Sequence, residues 1–252
     1  MTPRILRPSG QGRFVILCDH ASNHIPAELN DLGLAPADLR RHIAWDIGAA
    51  GVAEALSDIF DAPAVLSPAS RLVIDCNRHL NAADLIPERS DATLVPRNQN
   101  LAADARTARI ERRFEPYHAA VESIFIHRES RGFASIALSI HSMTDDLAGS
   151  RRPWQIAFSH HGDRSLVDPI IAILRRSAGL EVGDNQPYSM DPAVDYSIPF
   201  HAVRRNLLYL QVEFRQDEVP DAAGQLRWAR RFAAAVAEAI RLLPATRPRA
   251  ES

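Results

Sequence analysis

The 252-residue chain contains no lysine: all 29 of its basic residues are arginine. A Schiff base or any other catalytic role for a lysine amine is therefore excluded. Cysteine is nearly absent as well. Cys18 and Cys76 are the only two and lack Cys-x-x-Cys spacing, which excludes a disulfide framework and a thiolate zinc cluster. Both read as small buried hydrophobes on strands. No apolar stretch approaches the ~20 residues of a membrane-spanning helix. The first thirteen residues carry Pro, Gly and Arg but no apolar core of the kind a signal peptide has, so the expected location is cytoplasmic. The formal net charge is -2 with both signs interspersed, so no basic stripe is available for nucleic acid. No internal repeat or Gly/Ser-rich linker divides the chain. One domain is expected over 1–252, with flexible ends at 1–12 and 244–252.

What is present is an alternation of strand and helix patterns. Apolar β-runs occur at 14–19, 64–67, 71–74, 135–140, 155–158, 180–182 and 207–212. After Asp46, residues Ala49, Val52, Leu56 and Ile59 recur at spacings of three and four, the mark of one buried helix face. Residues 102–126 carry the stripe Ile110, Phe114, Tyr117, Val121, Ile124, with Pro116 predicting a kink or break. A helix is expected at 165–177. The last starts at Asp221 as N-cap and turns Leu226, Ala229, Ala233, Val236 and Ile240 inward. The segment 79–100, rich in Pro, Asn, Asp and Arg, is long for a connection and reads as a lid or rim.

This alternation predicts an α/β protein, in which ligands gather at the carboxyl ends of the strands. Polar residues stand where the apolar runs end: Asp19 and His20 at the first, Asp75, Asn77 and Arg78 after the third, His141 after the fourth, Glu213 and Arg215 after the last. Two imidazoles and a carboxylate are the donors of a catalytic zinc site with one position left open. His20 and His141 are the candidate imidazoles. Asp46 is the candidate carboxylate, or else a plain helix N-cap. Glu213, in an apolar run, is either a general base or the ion-pair partner of Arg215. Arg78 suits bidentate recognition of a carboxylate, and Arg71 either does the same or forms a surface salt bridge.

Five segments together resemble the N-formylglutamate amidohydrolase family: FVILCDHASNHIP from Phe14, HIAWDIGA from His42, SRLVIDCNR from Ser70, IHSM from Ile140 and QVEFRQD from Gln211. The similarity runs over residues 13–241 in order and spacing. It implies a zinc carboxypeptidase-like fold, a three-layer α/β/α sandwich around a mixed, largely parallel sheet of about eight strands. It also implies hydrolysis of a small acidic N-acyl amino acid, with N-formyl-L-glutamate giving formate and L-glutamate. His20 and His141 match the metal-binding histidines, Asn77 and Arg78 the carboxylate-binding pair, and Glu213 the general base. The wider carboxypeptidase-like pattern has Glu three residues after the first histidine, where this chain has Asn23. Asp46 is preferred as third ligand because an anionic oxygen binds a divalent metal better than an amide oxygen.

The mechanism that the resemblance implies is zinc held by His20, Asp46 and His141, with Glu213 moving the proton. Arg78 would grip a substrate carboxylate, helped by Asn77, Arg71 and Arg89, and His201 would serve as oxyanion donor or substrate ligand. Two alternatives stand beside this reading. One is a deacylase or peptidase for another N-acyl amino acid or a peptide. The other is a non-catalytic protein that binds an acidic metabolite on the same scaffold.

Overall fold

The computed structural model describes residues 2–147 and 149–243. Strands β1 (Arg4–Leu6) and β2 (Phe14–Cys18) are followed by helix α1 (Ala49–Phe60) and β3 (Ala64–Leu66). A short hairpin, β4 (Arg89–Ser90) with β5 (Thr93–Leu94), precedes α2 (Ala103–Arg109) and α3 (Glu115–Ser130). Then come β6 (Ile136–Met143), a second hairpin of β7 (Asp146–Leu147) and β8 (Ser150–Arg151), and β9 (Ile156–Ser159). The remainder is α4 (Val167–Arg175), β10 (Val182–Asp184), α5 (Ser197–His201), β11 (Leu208–Arg215) and α6 (Ala222–Leu242).

Among the described residues seven strands form one sheet in the order β1-β3-β2-β6-β11-β9-β10. Its centre, β3-β2-β6-β11, is parallel, while β1 and β9 run antiparallel to their inner neighbours. Period-two alternation along the strands sorts their side chains between two cores. Phe14, Ile16, Leu138, Ile140, Leu210 and Val212 face one way and pack with Val52 and Leu56 of α1, Ile170 of α4 and Phe232 of α6. Val15, Leu17, Ala137 and Tyr209 face the other way and meet Tyr117, Val121 and Phe125 of α3 and Ile198 of α5. Apolar strands with helices on both faces make the expected three-layer, mixed and largely parallel architecture, with seven strands in the sheet. Among the described residues no helix is long and apolar enough to cross a membrane.

Several local expectations need correction. The N-terminal segment expected to be flexible contributes β1, whose Arg4, Ile5 and Leu6 pair with Leu66, Val65 and Ala64; the other end, 244–252, lies outside the described residues. Residues 71–74 are not a strand, although Leu72, Val73 and Ile74 are buried. Their carbonyls are satisfied by side chains instead of a ladder: Asn98 Nδ2 donates to Leu72 O at 2.9 Å and Arg109 to Val73 O at 3.0 Å. Around Pro116 the helix neither breaks nor restarts. Lacking an N–H, the proline leaves an acceptor open upstream, and a π turn over Ile110–Phe114 absorbs the irregularity. Asp221 caps α6 as expected, accepting from Gly224 N at 2.8 Å, whereas Leu226, expected to face inward, is 38% exposed.

Candidate active site

The site lies at the carboxyl ends of β2, β6 and β11. The last two strands run further than their apolar stretches suggest, because the ladder continues through His141 paired with Glu213 to Met143 paired with Arg215. His141 and Glu213 therefore sit within strands and project side by side from the face that carries α3. His20 stands two residues beyond β2, on backbone held by Asp46 N donating to His20 O at 3.0 Å. These residues line a cavity of about 320 Å³ together with Asp46, Arg71, Asn77, Arg78 and Arg152.

Asp46 is the hub. Its Oδ2 lies 2.9 Å from His141 Nδ1 and 3.3 Å from His20 Nδ1, and all three residues are buried. The plain N-cap reading of Asp46 is overturned: α1 has Gly48 at its N-cap, with no side-chain cap. Among the described residues, His20, Asp46 and His141 are the group whose donor atoms lie close enough to hold one metal ion, all within 4.8 Å of one another. The outward ring nitrogens are held from behind. His20 Nε2 donates to Asp75 Oδ1 at 2.7 Å, and His141 Nε2 stands 3.0 Å from Ser139 Oγ and 3.7 Å from Asp19 Oδ2. Such backing fixes tautomer and ring orientation at metal-binding histidines. Asn23 is elsewhere, its amide donating to Leu39 O at 2.9 Å.

The electrostatics fit a cation at this point. Burial acts against a charged His141, yet Asp46, Glu213 and Asp19 outweigh it and push the imidazole up to about 9. Burial and Arg71 act against a charged His20, and Asp75 with Asp46 raises it all the same. Asp46 moves the other way: the two imidazoles overcome its burial and hold it well below the ordinary carboxylate range. The cluster thus draws positive charge onto its histidines, which a divalent ion can replace. Glu213 is compensated only in part. Burial, with Asp46 beside it, outweighs His141, His20 and Arg71 and pushes its carboxyl up to about 7, and its Oε2 is buried without a hydrogen-bond partner among the described residues. Arg215 is not its ion-pair partner; that guanidinium is taken by Asp217 and by the carbonyls of Arg152 and Pro153.

The arginines divide by how far they are already neutralised. Arg71 is not a surface residue of the bland kind, because its fork holds Asp75 at 2.7 Å and reaches Asp46 at 3.7 Å. Arg78 donates to Asp84 at 2.8 Å, and its NH1 lies 3.8 Å from Asp195. Arg152 differs: it is buried, donates to Tyr188 OH at 2.7 Å, stacks over the Tyr188 ring, and has no carboxylate partner among the described residues. Asn77 is largely consumed in holding the start of α5, accepting from Tyr196 N and Ser197 N and donating to Asp195.

Two expected substrate ligands are not brought to the cavity. Arg89 lies in the β4–β5 hairpin and donates to Ala92 O, so it merely closes its own turn. His201 is fully buried at the end of α5, where its Nε2 donates to Nδ1 of His118, which in turn donates from Nε2 to Cys76 O. Burial, with Arg205 and Arg204 nearby, pushes its imidazole down to about 3, so it is a neutral core group. Residues 79–100 give the cavity no lining side chain, whereas the 183–201 loop gives Tyr188, Asp191 and Asp195. Arg152 carried no signal in the sequence because it precedes a strand. Since β9 runs antiparallel to β11, the start of β9 is what reaches this edge of the sheet.

Comparison with known proteins gives a consistent picture. A family model described as N-formylglutamate amidohydrolase matches residues 12–219. The crystal structure of a gene product from Agrobacterium tumefaciens aligns with a TM-score of 0.92 and 31% identity, covering 96% of this chain and 95% of that one. The crystal structure of N-formylglutamate amidohydrolase from Ralstonia eutropha is similar in fold, with a TM-score of 0.76 and 21% identity over 96% of this chain and 100% of that one. No curated protein sequence matches.

Proposed function

Because the chain belongs to the N-formylglutamate amidohydrolase family, we propose that it hydrolyses the formamide bond of N-formyl-L-glutamate to give formate and L-glutamate. The observation that carries the substrate class is Arg152. A buried guanidinium that has no carboxylate partner among the described residues and lines the cavity is matched by a ligand that brings a carboxylate. Arg78 on the same cavity serves the second carboxylate of a dicarboxylic substrate.

His20, Asp46 and His141 would hold a zinc ion, which when bound supplies Lewis-acid polarisation of the formyl carbonyl and acidifies water. The chain's own residues do the rest. Asp75 and Ser139 keep the two imidazoles oriented through their outward nitrogens. Glu213, with its carboxyl pushed up toward neutrality by burial, takes a proton from the attacking water. The water oxygen bonds to the formyl carbon, the C–N bond breaks, and Glu213 returns the proton to the departing amine. Arg152 and Arg78 hold the amino-acid part so that the scissile bond stays beside Glu213 and the His-Asp-His group.

The test is formate release from N-formyl-L-glutamate by zinc-loaded protein, beside N-formyl, N-acetyl and N-succinyl derivatives of acidic and neutral amino acids. Preference for N-formyl-L-glutamate supports the reading. Faster turnover of another N-acyl amino acid moves the substrate assignment, and no turnover of any member removes the enzyme reading.

A further inference from the structure

A second cavity, of about 300 Å³, shares no lining residue with the first. It is built where α2 passes into the π turn, a local irregularity that changes which side chains fall on one side of the helix. Arg109, Arg112 and Arg113 from this junction and Arg97 from the preceding loop bring four guanidiniums to it, against the single carboxylate of Glu28. That carboxylate is already used, its Oε1 accepting from Arg113 at 2.9 Å. Leu29, Val73 and Leu101 give the cavity an apolar side.

Arg109 makes the site unusual. It is only 6% exposed, yet its NH1 meets neutral acceptors alone, Val73 O at 3.0 Å and Asn98 Oδ1 at 2.7 Å. Its Nε is buried and has no acceptor among the described residues. Burial pushes this guanidinium down to about 10. Buried charges in folded proteins are paired, because an unpaired one forfeits its hydration. Arg97 and Arg112 at the rim are exposed and form no ion pair among the described residues. Positive charge beside apolar surface, in a volume several times that of a bare anion, specifies a ligand with one anionic head and an apolar body.

We propose that this second cavity binds a small amphipathic monocarboxylate, its head received by Arg109, Arg112 and Arg97 and its aliphatic tail laid over Leu29 and Leu101. Nothing in this reading depends on the reaction run at the first cavity. Guanidinium forks suit a carboxylate bidentately, and the tail removes apolar surface from water.

The test is calorimetric titration of the full chain with octanoate, with inorganic phosphate and octanol as head-only and tail-only probes. Saturable octanoate binding is expected, weakened about tenfold by Arg112→Gln or Arg97→Gln, the scale of one charge-assisted hydrogen bond, and abolished by Arg109→Met. Arg109 also ties Val73 and Asn98, so the two exposed rim variants keep the test valid if Arg109→Met does not fold. Arg152→Met should leave octanoate binding unchanged, which separates this cavity from the first. No saturable binding, binding insensitive to the rim variants, binding lost only in Arg152→Met, or equally tight binding of phosphate or octanol would each overturn the proposal.

Discussion

His141 and Glu213 are register partners on adjacent parallel strands, so the imidazole and the carboxyl leave the sheet side by side on one face. The pair joins two functions. His141 turns Nδ1 toward Asp46 and belongs to the metal-binding group, while Glu213 has a free buried oxygen in the same cavity. Holding both on central strands fixes their separation more firmly than loops would.

Glu213→Gln keeps the shape of the side chain and removes its ability to accept a proton. Turnover should fall at least ~100-fold, the usual scale for loss of a general base, while zinc content by atomic absorption stays near that of the parent protein. Near-normal turnover would leave Glu213 as a structural residue.

The same substitution should alter stability in metal-free protein. A carboxyl raised to about 7 in the folded state favours folding fully at low pH, and that contribution is lost as pH rises through about 7. Chelator-treated parent protein should therefore lose stability from about pH 4.5 to about pH 7 relative to Glu213→Gln. At pH 8 the variant should be the more stable by about 1–3 kcal/mol, since each tenfold difference in proton affinity between the folded and unfolded chain corresponds to ~1.4 kcal/mol. Thermal melts across pH decide it, and curves that stay parallel would rule out a raised carboxyl at this position.

His20→Ala and His141→Ala should each yield folded protein with far less than one zinc per chain. Asp75→Asn, which weakens the support behind His20, should lower zinc affinity by about 10-fold or more while leaving the ligands in place. Coordination requires neutral imidazole, and His141 is raised to about 9 without metal, so zinc affinity of the parent should keep rising with pH from neutrality toward that value. Full zinc occupancy in either alanine variant would remove that histidine from the site.

Much of this site was legible because the parallel core delivers strand ends to one edge. His20, His141 and Glu213 follow or extend apolar runs, and period-two alternation put Ala137 and His141 on one face and Leu138 and Ile140 on the other. Asp46 was ambiguous because a helix start and a metal ligand favour the same residue type. Side-chain pairing hid the rest. Arg215 could not be separated from Glu213 until Asp217 claimed it, residues 71–74 lost their ladder to the side chains of Asn98 and Arg109, and His201 sits close to β11 in sequence but is drawn into the α3–α5 core by His118. Arg152 was invisible because strand direction, which one sequence does not state, decides which end of β9 meets the cavity.

Arg152 offers the sharpest test of substrate recognition, since Arg78 already has Asp84 and Arg71 already has Asp75. Replacing it with methionine keeps much of the apolar stem over Tyr188 and deletes the fork, whereas lysine keeps the charge and loses the bidentate geometry. Both variants should lower kcat/KM for N-formyl-L-glutamate, by about 10- to 100-fold for Arg152→Met, the scale of one lost charge-assisted contact. The loss should be much smaller for a substrate analogue whose matching carboxylate is amidated, because that molecule never used the contact. Zinc content should be unchanged, as Arg152 donates to Thr144 O and Tyr188 OH rather than to His20, Asp46 or His141. Equal losses on the acid and the amide would mean that Arg152 shapes the cavity through Tyr188, and the carboxylate clamp would then have to be sought at Arg78.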